Sequence, residues 1–195
     1  MRRALVSLLL VALTLASGCA GVAVRPQPLP QDLAQLDRWQ AIGRIGVSGP
    51  EAGGSGSFEW SQRGERAQVQ IRGPVGVGGV HLEFGGDGPK PDLHLQTSDG
   101  QSLQSDAAWS ELEARLGADV PAGQLRYWLL GLAAPGEHRW LQSPDGEHAT
   151  LEQGGWRIDY QRYSSEPGLR VPVRLRAVSG EARVRIVVDR WRLGQ

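Results

Sequence analysis

The sequence predicts a mainly β fold, in which about three helices cover one mouth or face of a strongly curved antiparallel sheet. Apolar and polar residues alternate in about ten short segments, a pattern typical of strands with one buried face. Three other segments have helical character, and two of them repeat apolar residues every three or four positions. Glycines in the strand region, at positions 43, 46, 78 and 79, favour a bent sheet.

The first half of the chain carries a short helix and then a run of strands. A helix is expected to begin near Gln31, with Leu33, Leu36 and Trp39 along one side. From Trp39 onward the pattern changes to a period of two. The predicted strands cover residues 41–47, 53–60, 67–72, 80–84 and 93–96. Turn residues separate these strands, which therefore form an antiparallel meander.

Two further helices interrupt the sheet. Asp106 is a good N-cap for a helix over residues 107–116, which Gly117 would end. Pro121 lies early in the next helix, where its fixed φ is tolerated. The apolar stripes consist of Trp109, Leu112 and Leu116 in the first of these helices, and of Leu125, Trp128, Leu129 and Leu132 in the second.

The last third of the chain returns to strands. These are predicted over residues 139–142, 149–153, 155–162, 171–178 and 181–192, with a tight Ser179-Gly180 turn between the last two. In this last pair, the apolar residues 173, 175, 184, 186 and 188 point to one face. The arginines at positions 174, 176, 183 and 185 point to the other face.

The N-terminus has the three-part organisation of a secretory signal. Two arginines precede an apolar run over residues 4–16, and small residues lead to Cys19, the only cysteine of the chain. A cysteine directly after such a site is typical of bacterial lipoproteins, in which the thiol is diacylated and the new N-terminal amine is acylated. The alternative is a soluble secreted protein with an isolated thiol.

This signal divides the chain into three parts. Residues 1–18 are the signal peptide, and residues 19–30, with three alternating prolines, are expected to form an extended tether. Residues 31–195 form a single domain that is large enough to bury a core. Ala20 rather than aspartate follows the cysteine, which indicates the periplasmic side of the outer membrane of a Gram-negative bacterium. The acyl groups on Cys19 are the only attached groups expected, and no cofactor is predicted.

Charge and motifs argue against several functional classes. The 21 basic and 21 acidic residues balance, so no nucleic-acid partner is expected. The four histidines have no metal-ligand spacing, and His81 and His94 fall on the polar side of their strands. No nucleophile elbow or phosphate-binding loop is present. A small periplasmic hydrolase would therefore lack a candidate nucleophile–base pair, and the protein is not expected to be an enzyme.

Residues 73–76, Gly-Pro-Val-Gly, form a distinctive turn between two predicted strands. Pro74 fixes φ, and the flanking glycines permit a sharp excursion with Val75 at its apex. Two interpretations remain open from these residues alone. Val75 folds back onto the core as in an ordinary turn, or the turn presents it as an exposed apolar tip.

Motifs spread from Trp39 to Trp191, behind the lipoprotein signal, together resemble the LolB family of outer-membrane lipoprotein receptors. They comprise residues 39–45 (Trp-Gln-Ala-Ile-Gly-Arg-Ile), 56–60 (Gly-Ser-Phe-Glu-Trp), 73–76, 125–132 (Leu-Arg-Tyr-Trp-Leu-Leu-Gly-Leu), 153–160 (Gln-Gly-Gly-Trp-Arg-Ile-Asp-Tyr) and 188–193 (Val-Asp-Arg-Trp-Arg-Leu). The family has an Asn/Gly-Pro-Leu-Gly turn at residues 73–76, so Val75 occupies the place of its leucine.

The resemblance implies an unclosed β half-barrel with a hydrophobic cavity beneath its helices. LolB-like proteins receive acylated lipoproteins from the soluble periplasmic carrier LolA, hold their acyl chains in this cavity and insert them into the outer membrane. Gly73, Pro74, Val75 and Gly76 would form the membrane-insertion loop. The implied partners are a LolA-type carrier, acylated lipoprotein cargo and outer-membrane phospholipid, with the protein acting as a monomer.

The candidate acyl-chain cavity is lined by the inward face of the sheet and the underside of the second long helix. Its predicted lining is Trp60, Val69, Ile71, Val80, Leu82, Phe84, Leu93, Leu95, Trp128, Leu129, Leu132, Ile158, Tyr160, Leu175 and Ile186. Each of these residues has an alternative place in a sealed core, because alternation identifies a face and not a void. The alternative function is a structural or assembly-scaffold lipoprotein with a filled core, which holds a protein partner through its sheet edge or helices.

Overall fold

The computed structural model describes residues 33–50, 53–74, 78–86, 90–116, 119, 121–142, 148–165 and 170–194. Within these ranges, eleven strands form one antiparallel sheet: β1 (Arg38–Ser48), β2 (Gly53–Arg63), β3 (Arg66–Arg72), β4 (Gly79–Gly85), β5 (Asp92–Thr97), β6 (Ser102–Gln104), β7 (His138–Gln142), β8 (Ala149–Gln153), β9 (Trp156–Tyr163), β10 (Pro172–Ser179) and β11 (Ala182–Leu193). Their spatial order is β6-β5-β4-β3-β2-β1-β11-β10-β9-β8-β7. The sheet is open, because β6 and β7 are edge strands that do not pair with each other.

Alternation along each strand separates an inner face, which carries the core, from an outer face. In β3, for example, Ala67 and Val69 are buried, whereas Gln68 and Gln70 are exposed. The same alternation continues across neighbouring strands, because register places inner-face residues opposite one another. Trp60, Val69, Leu82 and Leu95 form one such apolar row across β2, β3, β4 and β5.

Two α-helices lie between β6 and β7 in the chain, and they pack on the inner face. They are α1 (Ser105–Leu116) and α2 (Ala122–Leu130). α2 ends in a Schellman motif: Gly131 has φ 76°, its N–H binds the Trp128 carbonyl, and the Leu132 N–H binds the Tyr127 carbonyl at 2.9 Å. Leu132 therefore lies beyond the helix, and the predicted stripe was one residue too long.

Of the three helices predicted, two are confirmed as α-helices and the third is not confirmed. The segment near Gln31 contains only a 3₁₀ turn (Leu33–Gln35) among its described residues. Trp39 lies in β1, where it is 2% exposed and stacks on Trp60 with ring centroids 5.8 Å apart. Burial of this aromatic pair favours the extended conformation over continuation of a helix. The short edge strand β6 was not predicted, because three residues carry too little alternation to be recognised.

A β-bulge bends the sheet at the junction of β1 and β11. Ile42 pairs with Arg190 and Gly43 with Val188, so Asp189 is the extra residue of β11. A Cβ atom at Gly43 would overlap the carbonyl oxygen of Val187. Glycine is therefore required at this position for close backbone approach, which agrees with the predicted link between Gly43 and curvature.

Candidate functional site

An apolar cavity of about 50 Å³ lies between the inner face of the sheet and the two helices. Every side chain that lines it is apolar. The lining residues are Ile45, Val47, Phe58, Trp60, Val69, Ile71, Leu82, Phe84, Leu112, Ala122, Leu125, Leu129 and Ile186. The cavity thus lies under strands β1 to β4 and β11, near the centre of the sheet.

Trp60 is the only described lining residue with a polar side-chain atom, and that atom is hydrogen-bonded. The indole nitrogen of Trp60 donates a hydrogen bond to Gln62 Oε1 at 2.9 Å, and Gln62 Nε2 donates to the carbonyl of Gly64 at 2.8 Å. Trp60 also packs edge-on against Phe84, with centroids 5.5 Å apart. The wall therefore presents hydrocarbon and aromatic surface to an occupant, without an unpaired polar group to desolvate.

α1 is held against the β4–β5 connection, so Leu112 keeps its position in the wall. The Trp109 indole nitrogen donates to the Pro91 carbonyl at 3.0 Å. Lys90 forms an ion pair with Glu113 at 2.6 Å, and this hydrogen bond raises the pKa of the lysine. The buried Trp109 contact is the stronger restraint, since exposed ion pairs contribute little.

The C-terminal half of α2 is fixed to strands β8 and β9 by buried hydrogen bonds. Gln153 Oε1 accepts from the Trp128 indole at 3.0 Å and from the Ala134 N–H at 2.9 Å, and Gln153 Nε2 donates to the Ala134 carbonyl at 2.7 Å. The Tyr160 hydroxyl donates to the Trp128 carbonyl at 3.1 Å. Burial raises the pKa of Tyr160, which keeps this hydroxyl protonated as a donor.

The N-terminal half of α2 has no buried side-chain hydrogen bond to the sheet among the described residues. Pro121 precedes the helix without a side-chain capping hydrogen bond. Gln124 Oε1 is buried and, among the described residues, has no hydrogen-bond partner. Ala122 and Leu125, which line the cavity, both lie in this half. The part of the cavity wall that Ala122 and Leu125 form is therefore attached by fewer hydrogen bonds than the C-terminal half of α2.

The predicted cavity residues divide into two groups. Seven line the cavity: Trp60, Val69, Ile71, Leu82, Phe84, Leu129 and Ile186. The other eight do not line it: Val80, Leu93, Leu95, Trp128, Leu132, Ile158, Tyr160 and Leu175. Most of this second group is fully buried, as Leu95 and Ile158 are at 0% exposure, and packs in the surrounding core. A role in holding acyl chains stays a prediction for all fifteen.

Six lining residues were missed: Ile45, Val47, Phe58, Leu112, Ala122 and Leu125. The sequence did contain a signal for most of them. Ile45, Val47 and Phe58 share the inner-face alternation of the first two strands, and Leu112 and Leu125 lie on the apolar stripes of their helices. Ala122 carried no such signal, because a small residue in a helix is compatible with any environment.

The predicted membrane-insertion loop is described only at its base. Gly73 donates its N–H to the Gly78 carbonyl at 3.0 Å, which closes the excursion between β3 and β4. Pro74 is exposed, and Gly78 has φ 70°. Val75 and Gly76 lie outside the described residues, as do Cys19, the signal peptide and the tether.

None of the described titratable side chains lines the cavity. His81 and His94 are half-buried on the outer face, where the His81 ring contacts Glu83 at 3.2 Å. This hydrogen bond lowers the pKa of Glu83. In the part of the chain that the structure describes, no three His, Cys, Asp or Glu side chains are grouped as metal ligands would be. The described helices are all too short or too polar to cross a membrane.

Comparison with known families decides the assignment. The model of the family described as outer membrane lipoprotein LolB matches residues 37–191. The chain belongs to the LolB family. It is 32% identical to the outer-membrane lipoprotein LolB of Ectopseudomonas mendocina, across 94% of this chain and 95% of that protein. It is 40% identical to the LolB of Alkalilimnicola ehrlichii, across 82% of this chain and 78% of that protein.

A solved structure agrees with the architecture. The crystal structure of a LolA-superfamily protein from Nitrosomonas europaea superimposes with a TM-score of 0.52 at 15% identity, covering 83% of this chain and 88% of that one. This likeness supports the fold and not a shared partner or ligand. The LolB family membership identifies the chain as an outer-membrane lipoprotein, as the cysteine after the signal indicated.

Proposed function

We propose that this protein is an outer-membrane lipoprotein receptor, which takes acylated lipoproteins from a LolA-type carrier and inserts them into the outer membrane. The observation that carries the proposal is the wholly apolar cavity between the sheet and the two helices. The transfer of hydrocarbon from water to an apolar site is favourable by about 0.8 kcal/mol for each methylene. A lining without polar atoms is therefore a suitable site for acyl chains.

Uptake of acyl chains requires the cavity to enlarge. A volume of about 50 Å³ is small beside the roughly 150 Å³ of an engineered cavity that admits a single benzene. The N-terminal half of α2 is the part expected to move, since it lacks a cap and carries the unpaired Gln124 oxygen. The C-terminal half would stay in place through Gln153 and Tyr160.

Transfer would proceed down a gradient of affinity. The acyl chains move from the carrier to this cavity and then to the bilayer, where they are fully surrounded by hydrocarbon. Each step needs only that the next site binds better than the last, so no nucleotide is required. A small cavity that opens against its own packing suits an intermediate site, because closure of α2 favours release.

Anchoring and insertion involve two segments that lie wholly or partly outside the described residues. Cys19, after loss of residues 1–18, would carry the acyl groups, and residues 19–30 would tether a domain of residues 31–195. More than one acyl chain makes this attachment stable, since a single chain binds only marginally. The loop of Gly73, Pro74, Val75 and Gly76 would contact the bilayer during delivery.

The test of the proposal compares two variants of the same helix. Leu129 lines the cavity, whereas Leu130 is equally apolar and buried but does not line it. We expect Leu129→Glu to abolish binding of a fluorescent acylated peptide, and Leu130→Glu, the matched control, to retain it. Circular dichroism establishes that both variants are folded. Normal binding by a folded Leu129→Glu variant would contradict the proposal.

A second candidate function is the scaffold lipoprotein, and one observation favours it. Trp140 on the edge strand β7 is 39% exposed, the largest such exposure of a bulky apolar side chain in the described residues. An exposed edge strand with an aromatic residue can pair with a partner chain. This function needs no lipid affinity, so failure of the wild-type protein to bind the acylated peptide would favour it.

A further inference from the structure

The outer face of the sheet carries an arginine patch, which consists of Arg174, Arg176, Arg183 and Arg185. Arg176 on β10 and Arg185 on β11 are register partners. Like charges directly opposite each other destabilise a sheet. Within the described ranges, none of the four guanidinium groups forms an ion pair with a carboxylate. The fold thus keeps like charges next to each other, although no ion pair within the described residues offsets their repulsion.

Two of the neighbouring carboxylates on this face are already engaged by other arginines. Asp159 is the register partner of Arg176, but its oxygen contacts Arg157 at 3.3 Å. Asp189, at the bulge of β11, forms an ion pair with Arg44 at 2.9 Å. Glu181, which is exposed, lies in the turn between β10 and β11. The four-arginine patch therefore has surplus positive charge that is available to an external anion.

The patch lies at the same end of the sheet as the loop between β3 and β4. Arg183 is opposite Ser48, where β1 ends, and Arg185 is opposite Gly46. Two strands further along, Arg72 closes β3 beside Gly73 and is exposed. Adjacent strands are antiparallel. The ends of β1, β3 and β10 and the start of β11 therefore lie at the same end of the sheet, along the strand direction.

The lipid anchor does not prevent this end from meeting the membrane. β1 starts at the opposite end of the sheet and has 11 residues, which span roughly 35 Å at about 3.4 Å per residue. The chain between Cys19 and Leu33 can reach roughly 40 Å at about 3.1 Å per residue. An anchor at Cys19 therefore has sufficient chain for either end of the sheet to contact the bilayer that holds it.

We propose that the arginine patch binds the headgroups of an anionic phospholipid surface and turns the 73–78 end of the domain toward the bilayer. Guanidinium groups bind phosphate oxygens through paired hydrogen bonds. Phospholipid is also the surface that the anchor keeps closest to the patch. The inference rests on the proposed function in one respect, because it takes the loop at this end to be the element that delivers cargo.

The experiment uses the full acylated chain in phosphatidylcholine vesicles, with and without phosphatidylglycerol. Cys19 carries lipid, so a cysteine introduced by Ser179→Cys is the single free thiol for a fluorophore next to the patch. Quenching by a headgroup spin-labelled lipid reports how closely the patch approaches the surface. The patch variant replaces all four arginines by glutamine. The matched control replaces Arg38, Arg63, Arg190 and Arg192 by glutamine, toward the other end of the outer face.

We expect strong quenching only with phosphatidylglycerol, and a decrease of quenching with added salt. Each arginine lost from the patch should weaken docking by about fivefold, whereas the control should dock as the wild type does. The patch variant should also unfold at an equal or higher temperature, because the Arg176–Arg185 repulsion is removed. This second readout separates lost docking from lost folding.

Equal quenching in both kinds of vesicle, or equal loss in both variants, would overturn the proposal. A patch that serves an acidic protein partner would give no quenching on anionic vesicles, and that result also counts against it. No carrier or cargo is present in this experiment. Failure of docking therefore leaves the receptor proposal unaffected, and failure of cargo uptake leaves the docking result unaffected.

Discussion

The side-chain oxygen of Gln153 lies 3.0 Å from the indole nitrogen of Trp128 and accepts its hydrogen bond, which joins the last turns of α2 to strand β8. The same amide also exchanges hydrogen bonds with both backbone groups of Ala134. One buried side chain thus satisfies three polar groups below the end of the helix. No comparable attachment is present at the described start of α2, and this asymmetry determines which part of the helix is expected to move.

Replacement of Gln153 by methionine tests this attachment. Methionine has a similar shape but leaves the Trp128 indole and the two Ala134 backbone groups unpaired. We expect the free energy of unfolding to fall by about 3 kcal/mol, since each buried unsatisfied group costs about 1–3 kcal/mol. Urea denaturation measures the loss. Gln96→Met on the exposed outer face is the control and should change stability by less than about 0.5 kcal/mol.

Filling the cavity should oppose ligand binding while improving packing. Ala122 lines the cavity, whereas Ala108 is fully buried and does not line it. We expect Ala122→Leu to raise the free energy of unfolding by about 1 kcal/mol and to weaken binding of an acylated peptide. Ala108→Leu should lower stability by about 1–3 kcal/mol through overpacking. Destabilisation of similar size in both variants would mean that the cavity is not a usable space.

The bulge between β1 and β11 offers a paired glycine test. A Cβ at Gly43 would overlap the Val187 carbonyl, whereas the atom nearest to a Cβ at Gly46 is Ser55 Cβ at 4.0 Å. We expect Gly43→Ala to lower the free energy of unfolding by about 3 kcal/mol, because the backbone must shift. Gly46→Ala should be close to neutral. Thermal unfolding of the two variants, side by side, distinguishes a required close approach from a general preference for glycine.

The loop prediction concerns delivery rather than uptake. Val75→Glu should accept cargo from the carrier normally but fail to deliver it to liposomes, since a carboxylate at the tip opposes entry into hydrocarbon. Val75→Leu buries about one more methylene, which corresponds to about 0.8 kcal/mol, and should speed delivery. A liposome-transfer assay with labelled cargo measures both. Unchanged delivery by Val75→Glu would mean that Val75 is an ordinary turn residue without a role in delivery.

Much of the fold could be predicted because strand alternation is a local property. The strand over residues 149–153 was predicted with the observed bounds, and most others were correct to within a few residues. The errors occur where the alternation of apolar and polar residues is weak, or where packing against a distant residue determines the conformation instead. Three residues of β6 show too little alternation, and Trp39 extends a strand in place of a helix because it stacks on Trp60.

The cavity lining could be predicted only in part, because it depends on where the helices pack. Alternation places Leu95 and Leu82 on the same face, yet only Leu82 reaches the cavity. That difference is set by the position of α1 and α2 over the sheet, which is a long-range property. Leu132 illustrates the same point, since Gly131 ended the helix before the predicted stripe was complete.

Transfer of cargo from the carrier is the step that a lipoprotein receptor must perform first. A soluble form that lacks residues 1–19, and that circular dichroism shows to be folded, is mixed with a LolA-type carrier loaded with a labelled lipoprotein. We expect the label to move to this protein, and we expect Leu129→Glu but not Leu130→Glu to prevent this movement. Retention of the label by the carrier, with a folded wild-type domain present, would rule out the receptor function and favour the scaffold function.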